Sequence, residues 1–152
     1  GKVIENEVEK ASRRSPRRSP IGLIFKMKHI IPEGQPAPKG HYSPGIKHHG
    51  LVYVSGQLPM TLDTREPFTG DIGEQTELAL RNVEAVLKTA GSGLEQVLQM
   101  TIYVSDMELW AAVNAKYAEV MGSHRPARAI VPVKELHFGT QIEIQAIAAV
   151  ID

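Results

Sequence analysis

The order of helical and extended patterns in this 152-residue sequence predicts an α+β fold, in which one β-sheet carries two helices on one face. Two segments repeat apolar residues at the spacing of an amphipathic helix. Segments rich in β-branched residues precede, separate and follow them, which gives the order strands, helix, strand, helix, strands. The length is that of one ordinary domain and is sufficient to bury a core.

The first part of the predicted domain is extended and irregular. Residues 27–31 run into a strand, and segment 32–45 is rich in Pro and Gly, which predicts an irregular loop. A short strand over residues 51–55 ends at Gly56, and its valines and tyrosine suit a pleated, packed surface. Segment 61–70 then carries the turn residues Asp63, Pro67 and Gly70.

Two helices follow in the prediction, each with capping residues. The first covers residues 74–90, and Gly91 is placed as its C-terminal cap. The second runs to about residue 121, after Ser105 or Asp106 as the N-terminal cap. Their inner faces consist of apolar residues at helical spacing: Leu78, Val83, Val86 and Leu87 in the first helix, and Leu109, Val113, Tyr117 and Val120 in the second.

The remaining predicted strands cover residues 97–104, 127–134 and 141–151. The last of them is apolar on both faces from residue 146 to residue 151. Because two helices on one side of the sheet leave the other side uncovered, a second copy of the chain is the simplest cover for that side. The pattern therefore predicts an oligomer.

Composition excludes several classes of protein and site. The chain is 42% hydrophobic and 22% charged, as in globular domains, and no apolar run approaches the ~20 residues of a membrane span. It has no cysteine, which excludes disulfides and thiol catalysis and fits a cytoplasmic location. The six histidines have no metal-ligand spacing, and the adjacent pair His48 and His49 is typical of a loop or surface. No metal or cofactor is expected.

The charge is distributed unevenly along the chain. Residues 1–26 contain seven Lys or Arg and three Glu, with the repeat RRSPRRSP at 13–20, whereas residues 27–152 contain ten basic and fourteen acidic residues. The first segment is predicted to be a basic low-complexity leader, either an expression leader or an upstream extension, and residues 27–152 the domain. The acidic domain argues against a nucleic-acid partner.

Two charged residues lie inside segments that otherwise have the composition of buried strands. Arg128 and Glu143 are flanked by β-branched residues, where an isolated charge costs several kcal/mol. An arginine at a strand end can hold a carboxylate with two parallel hydrogen bonds, and a nearby glutamate can position water. The alternatives are that the two residues form a salt bridge with each other, or that Glu143 faces solvent.

Five segments together resemble one known family. They are GLVYVSGQLP at 50–59, RNVEAVL at 81–87, Val113-Asn114 with Tyr117, RPAR at 125–128, and IEI at 142–144 with AIA at 146–148. In this order and spacing the sequence resembles the RidA (YjgF/YER057c/UK114) family of reactive-intermediate deaminases, also known as endoribonuclease L-PSP. The resemblance covers residues 27–150.

The resemblance implies a chorismate-mutase-like fold with a single mixed sheet, assembled as a homotrimer with ligand clefts between subunits. It also implies hydrolytic deamination of reactive 2-enamine and 2-imine acids of the 2-aminoacrylate type. The products are 2-keto acids and ammonia, and the reaction uses no metal or cofactor. The expected partners are the other subunits and a small substrate with a carboxylate, without nucleic acid or membrane.

The resemblance also implies residue roles. Arg128 corresponds to the arginine that holds the substrate carboxylate, Glu143 to the glutamate that positions water, and Tyr42 to a tyrosine whose hydroxyl holds water or the imine. The remaining positions line the cleft and bind substrate, the last of them through its backbone: Ser55, Gly56, Asn114 and Ile130. Each has an ordinary alternative: Ser55 as a turn residue, Asn114 as an exposed helix residue, and Tyr42 as packing at a subunit edge.

The sequence departs from the family pattern at several positions near the expected cleft. His41, Pro44, Gln145 and His137 replace residues that are common in the family, and they are expected to affect substrate range more than chemistry. Three further functions remain open. The chain could be a non-catalytic trimer that binds small carboxylates, or an enzyme acting on a different enamine. An endoribonuclease-type translation inhibitor is disfavoured by the acidic domain and by only three Phe, four Tyr and one Trp.

Overall fold

The structure, a computed structural model, describes residues 26–151. The predicted leader 1–26 lies outside this range except for its last residue. The strands and helices, in chain order, are β1 Lys28–Ile30, β2 Gly45–His48, β3 Leu51–Gln57, α1 Ile72–Thr89, β4 Val97–Val104, α2 Trp110–Met121, β5 Ala127–Pro132 and β6 Ile142–Ala149. Short 3₁₀ turns lie at Leu94–Gln96, Met107–Leu109 and His137–Gly139.

The six strands form one mixed sheet with the order β1-β2-β3-β6-β4-β5. Only β4 and β5 pair in parallel, and the other neighbours are antiparallel. Helix α1 connects β3 to β4, and α2 connects β4 to β5, so both crossovers move in the same direction across the sheet. Because such crossovers are right-handed, both helices pack on the same face. The predicted α+β architecture, a single mixed sheet with two helices on one face, is confirmed.

The core lies between this face of the sheet and the two helices. Alternate residues of β4 and β6 point into it, as expected for strands with one covered face, and are completely buried: Met100, Ile102, Val104, Ile142 and Ile144. The other face of the sheet carries no helix within residues 26–151. It forms a shallow concavity of about 320 Å³ whose lining includes Tyr53, Thr101, Gln145 and Ile147. We call this the open face.

The sequence did not predict strand β2. It pairs with β3 through a two-residue turn at His49 and Gly50, whose φ angles of 53° and 74° are those of a type I′ hairpin. Of the pair predicted to lie in a loop or at the surface, His49 is an exposed turn residue, whereas His48 is the last residue of a strand and is partly buried. The prediction failed because GIKH contains a single apolar side chain, so the strand depends on pairing with β3 rather than on an apolar pattern of its own.

The predicted ends of α1 lie within two residues of the observed ones, whereas α2 begins at Trp110, four residues after the predicted cap Asp106. The Asp71 carboxylate accepts a hydrogen bond from the amide of Glu74 at 3.1 Å, so α1 begins at Ile72. Ala90 is the C-terminal cap of α1, and Gly91, which was predicted as the cap, follows it with a φ of 85°. Asp106 accepts from the Glu108 amide at 2.8 Å and begins the 3₁₀ turn before α2.

The last two strands are shorter than predicted. Strand β5 ends at Pro132 and β6 at Ala149, whereas Ile151 is 69% exposed. Ala146 and Ala148 point into the core, and Ile147 lies on the open face, so β6 is apolar on both sides as the sequence indicated. Within residues 26–151 no helix has the length and apolar character that a membrane crossing requires.

Candidate ligand-binding site

Arg128 on β5 is held by two residues of α2. Its Nη1 donates a hydrogen bond to the carboxamide oxygen of Asn114 at 3.0 Å. Its guanidinium carbon lies over the ring of Tyr117, 4.8 Å from the centroid, in cation–π geometry. Asn114 and Tyr117 are three residues apart and therefore lie on one side of the helix. Among residues 26–151 no carboxylate forms a salt bridge with Arg128.

Glu143 lies on the opposite face of the sheet from Arg128. Arg128 pairs in register with Met100 of β4, whose side chain points into the core. Glu143 pairs with Tyr103 of the same strand, whose side chain points to the other face of the sheet. The interpretation that the two residues form a salt bridge within one chain is therefore wrong. Strand β4 also separates β6 from β5, so their backbones are about 10 Å apart.

A β-bulge in β3 makes room for the Glu143 side chain. Val54 pairs with Ala146 and Gln57 with Ile144, so Ser55 and Gly56 together face the single residue Gln145. A Cβ atom at position 56 would lie 2.9 Å from the carboxyl carbon of Glu143. The glycine thus allows the carboxyl group to lie directly against the β3 backbone.

The Glu143 carboxyl group is half-buried, and this burial changes its protonation. Burial raises the pKa of Glu143 above its usual range, because a partly desolvated site disfavours the ionised form. The charge of nearby His137 opposes this effect and lowers the pKa of Glu143. His137 belongs to the 3₁₀ turn before β6, so this departure from the family pattern lies close enough to Glu143 to affect it electrostatically.

Ser55 attaches the loop of Tyr42 to the bulge. Its hydroxyl donates to the carbonyl of Ser43 at 2.6 Å, and its amide donates to the carbonyl of Pro44 at 2.9 Å. Tyr42 itself is 58% exposed in this loop between β1 and β2. The Ser55 hydroxyl is therefore used to fix the loop, and Ser55 itself lies in the bulge of β3 rather than in a turn.

The remaining two candidates also have defined surroundings. The amide oxygen of Asn114 is directed to Arg128 rather than to solvent, so Asn114 is not an ordinary exposed helix residue. The Ile130 side chain packs against the core. Strand β5 is at the edge of the sheet, so among residues 26–151 its backbone at Ile130 has no partner strand on one side and is available to a ligand.

The predicted site residues thus form two groups on different sides of the sheet. The anchor half-site consists of Arg128, Asn114, Tyr117 and the β5 backbone at Ile130. The water half-site consists of Ser55, Gly56 and Glu143, and Tyr42 belongs to the loop that Ser55 fixes beside it. A single chain does not bring the two groups together.

Tyr117 had been predicted only as a core residue and a family motif position, without a role in the site. The sequence could have indicated such a role, because Tyr117 follows Asn114 by three residues and therefore lies on the same side of the helix. In the described part of the chain, no cluster of three or more His, Asp or Glu residues could hold a metal ion. A ligand at either half-site would therefore meet amide, hydroxyl, guanidinium and carboxylate groups of the protein.

The sheet order and the two helices on one face define an α+β protein of the YjgF/L-PSP fold class. The sequence matches the family described as Endoribonuclease L-PSP over residues 33–150, and the chain belongs to this family, which includes the RidA and YjgF proteins.

Individual relatives agree with this assignment. A RutC family protein of Pyrococcus horikoshii is 42% identical over 123 residues, which cover 80% of this chain and 98% of the relative. The structure of the YjgF gene product of E. coli superposes with a TM-score of 0.75 at 34% identity, over 80% of this chain and 98% of that one. E. coli TdcF, solved with bound serine, has a TM-score of 0.74 at 31% identity with the same coverage.

Proposed function

We propose that this protein hydrolyses 2-enamine and 2-imine acids of the 2-aminoacrylate type to 2-keto acids and ammonia, in clefts between the subunits of a homotrimer. The observation that carries the proposal is the state of Arg128. Its guanidinium is fixed by Asn114 and Tyr117, yet among residues 26–151 no carboxylate neutralises it. A half-buried guanidinium that is held in a fixed position can bind the carboxylate of a ligand with two parallel hydrogen bonds.

Arg128 binds the substrate carboxylate through the part of its guanidinium that Asn114 leaves free. Two parallel N–H donors match the two oxygens of a carboxylate, which fixes orientation as well as charge. With the carboxylate fixed, the adjacent C2 atom occupies a defined position, so attack on it becomes effectively intramolecular. The bound serine of TdcF supports this assignment, because serine also has a carboxylate next to a carbon that bears nitrogen.

Glu143 positions and deprotonates the attacking water. The oxygen of water forms a bond to C2 of the imine, one proton of the water passes to Glu143, and the C=N π electrons move to nitrogen. Glu143 then returns the proton to nitrogen, which gives a carbinolamine. Glu143 next transfers the proton of the C2 hydroxyl to the same nitrogen, the C–N bond breaks, and ammonia leaves as the C–O bond becomes the carbonyl of the 2-keto acid. The raised pKa of Glu143 suits these transfers, because it lies closer to neutral pH than that of an exposed glutamate.

The two half-sites come together between subunits. Arg128 and Glu143 face opposite sides of one sheet, so a substrate that contacts both must lie between the anchor half-site of one subunit and the water half-site of another. The concave open face, which no helix covers within residues 26–151, is available for the neighbouring subunit. A cyclic trimer forms three such clefts from one repeated interface.

A non-catalytic carboxylate binder is the second candidate. The anchor half-site alone would serve that function, and the serine-bound relative is compatible with it. Glu143 distinguishes the two candidates, because a binder does not need a half-buried carboxyl group close to the ligand. The endoribonuclease of the family description has less support, since residues 27–152 contain ten basic and fourteen acidic residues.

The experiment measures keto-acid formation from 2-aminoacrylate that a serine dehydratase generates in the same solution. We expect the wild type to accelerate this step, and Arg128→Ala to lose the acceleration while keeping its assembly state. Arg128→Lys should recover little activity, because a single ammonium does not reproduce the planar fork. Acceleration by Arg128→Ala equal to that of the wild type would contradict the proposal, and wild-type binding without acceleration would favour the carboxylate binder.

A further inference from the structure

Tyr117 contacts Arg128, but the function proposed above gives Tyr117 no contact with the substrate. Its side chain is 6% exposed, on the face of α2 that points toward β5. Its hydroxyl is buried and has no hydrogen-bond partner among the described residues. An unpaired buried polar group of this kind destabilises the folded state, so the contact with Arg128 depends on the ring and not on the hydroxyl.

The ring and Asn114 restrict different movements of the Arg128 guanidinium. The hydrogen bond from Nη1 to Asn114 limits rotation within the guanidinium plane. The ring, 4.8 Å from the guanidinium carbon, limits the tilt of that plane. An unrestrained arginine loses about 2 kcal/mol of side-chain entropy when it binds a ligand, and a preorganised one has already lost part of it on folding.

We propose that Tyr117 is a positioning residue, whose ring holds the plane of Arg128 at the angle at which it receives a substrate carboxylate. The proposal rests on the anchor role assigned to Arg128 above. The ring performs this function, and the hydroxyl does not, because the buried oxygen has no exposed surface that a ligand could reach. Burial also raises the pKa of Tyr117, partly opposed by the charge of Arg128, so the phenol remains neutral near pH 7.

The test compares three variants in their affinity for 2-oxobutanoate, measured by isothermal titration calorimetry on the assembled protein. Tyr117→Leu removes the aromatic face, and Tyr117→Phe removes only the hydroxyl. Val113→Ala is the control, because Val113 is a completely buried residue of the same helix that does not form the Arg128 contacts. Methyl 2-oxobutanoate, which has no charge, serves as the control ligand.

We expect Tyr117→Leu to weaken 2-oxobutanoate binding by about 5- to 30-fold, because Arg128 must then lose on binding the side-chain entropy that the ring removes on folding. Tyr117→Phe should bind within about twofold of the wild type and melt at or above its temperature, because Phe keeps the π face and removes an unpaired hydroxyl. Val113→Ala should lower the melting temperature but leave the affinity within about twofold. None of the three should change binding of the methyl ester.

Four results would overturn the proposal: wild-type affinity in Tyr117→Leu, equal losses in Tyr117→Leu and Tyr117→Phe, equal losses in Tyr117→Leu and Val113→Ala, or no binding of 2-oxobutanoate by the wild type. Either of the first two results would show that the ring does not position Arg128. The third would show that Tyr117→Leu acts only through lower stability, and the last would show that Arg128 does not bind the carboxylate. Failure of 2-aminoacrylate turnover with the expected order of affinities would overturn only the deaminase proposal, because the calorimetric measurement requires no reaction.

Discussion

At the scale of single residues, the protein accommodates two charges within a sheet by different means. Arg128 is held by an amide oxygen and an aromatic face that α2 supplies. Glu143 is accommodated because Gly56, in the bulge of β3, has no side chain to exclude its carboxyl group. The position of each charged group thus depends on residues of a neighbouring element. Substitutions of these residues should therefore change activity more than they change the stability of the fold.

Gly56→Ala tests the contact at Glu143. The added Cβ would lie 2.9 Å from the carboxyl carbon, closer than van der Waals contact, so the carboxyl group must move. We expect the rate of 2-aminoacrylate hydrolysis to fall by about 10-fold or more, because small misplacements of a catalytic group have large effects. Affinity for 2-oxobutanoate at Arg128 should change by less than about twofold. Unchanged turnover would mean that the position of Glu143 is not critical.

The raised pKa of Glu143 predicts the pH dependence of activity. The ionised carboxylate accepts the proton from water, so kcat/KM should fall with decreasing pH through a value above the usual pKa range of glutamate. His137→Asn removes a charge that lowers this pKa, and should therefore move the acid limb to higher pH. A pH–rate profile of the two proteins tests this, and a shift to lower pH would contradict it.

The same pKa shift has a consequence for stability. Because the folded-state pKa of Glu143 is raised, the ionised carboxyl group destabilises the folded protein once pH exceeds the unfolded-state pKa, and the penalty disappears below it. Glu143→Gln should therefore raise the melting temperature at pH 7, and the gain should disappear toward about pH 4. Thermal melts over this range test the prediction, and a gain that increases toward acid pH would contradict it.

At the scale of elements, the start of β6 is fixed by a buried glutamine of α1. The side chain of Gln75 is completely buried and makes three hydrogen bonds. Its Nε2 donates to the carbonyl of Gly70 at 2.8 Å and to the side-chain oxygen of Gln141 at 3.1 Å, and its Oε1 accepts from the Gln141 amide at 2.9 Å. These bonds connect the beginning of α1 to the residue before β6, and thereby position Glu143 two residues later.

Gln75→Leu should destabilise the protein by about 3 kcal/mol, because it leaves the Gly70 carbonyl and the Gln141 amide without their partner in a buried site. Gln141→Leu is the matched control, since the Gln141 side chain contributes only one of the three bonds, and its cost should be about 1 kcal/mol. Urea denaturation measures both values. Equal costs for the two variants would show that the two backbone bonds contribute little.

At the scale of the whole molecule, the proposed deaminase activity requires an assembly, because the two half-sites lie on opposite sides of one sheet. Mixing Arg128→Ala with Glu143→Gln tests this directly, because each variant lacks a different half-site. If each cleft combines Arg128 of one subunit with Glu143 of another, random reassembly of an equal mixture should restore about one quarter of the wild-type activity. Each variant reassembled alone should remain inactive. No recovery in the mixture, although the subunits exchange, would mean that one chain supplies both residues.

The sequence alone predicted both helices and five of the six strands, and it singled out most of the residues of the candidate site. Amphipathic periodicity and capping residues located α1 and α2, because both signals arise within a few residues of the chain. The Arg128 and Glu143 segments were recognisable because charges are uncommon among β-branched residues. Strand β2 was missed because its stability comes from the His49-Gly50 turn and pairing with β3, which its own four residues do not encode.

Only the tertiary structure decided how the charged residues are arranged. The sequence indicated that Arg128 and Glu143 lie in strands, but the face that each occupies depends on the register of β6 and β5 against β4. The bulge beside Gly56 and the contact of Tyr117 with Arg128 likewise join residues that are far apart in the chain. Local periodicity is encoded by neighbouring residues, whereas register and contact between distant elements are fixed only when the whole core packs.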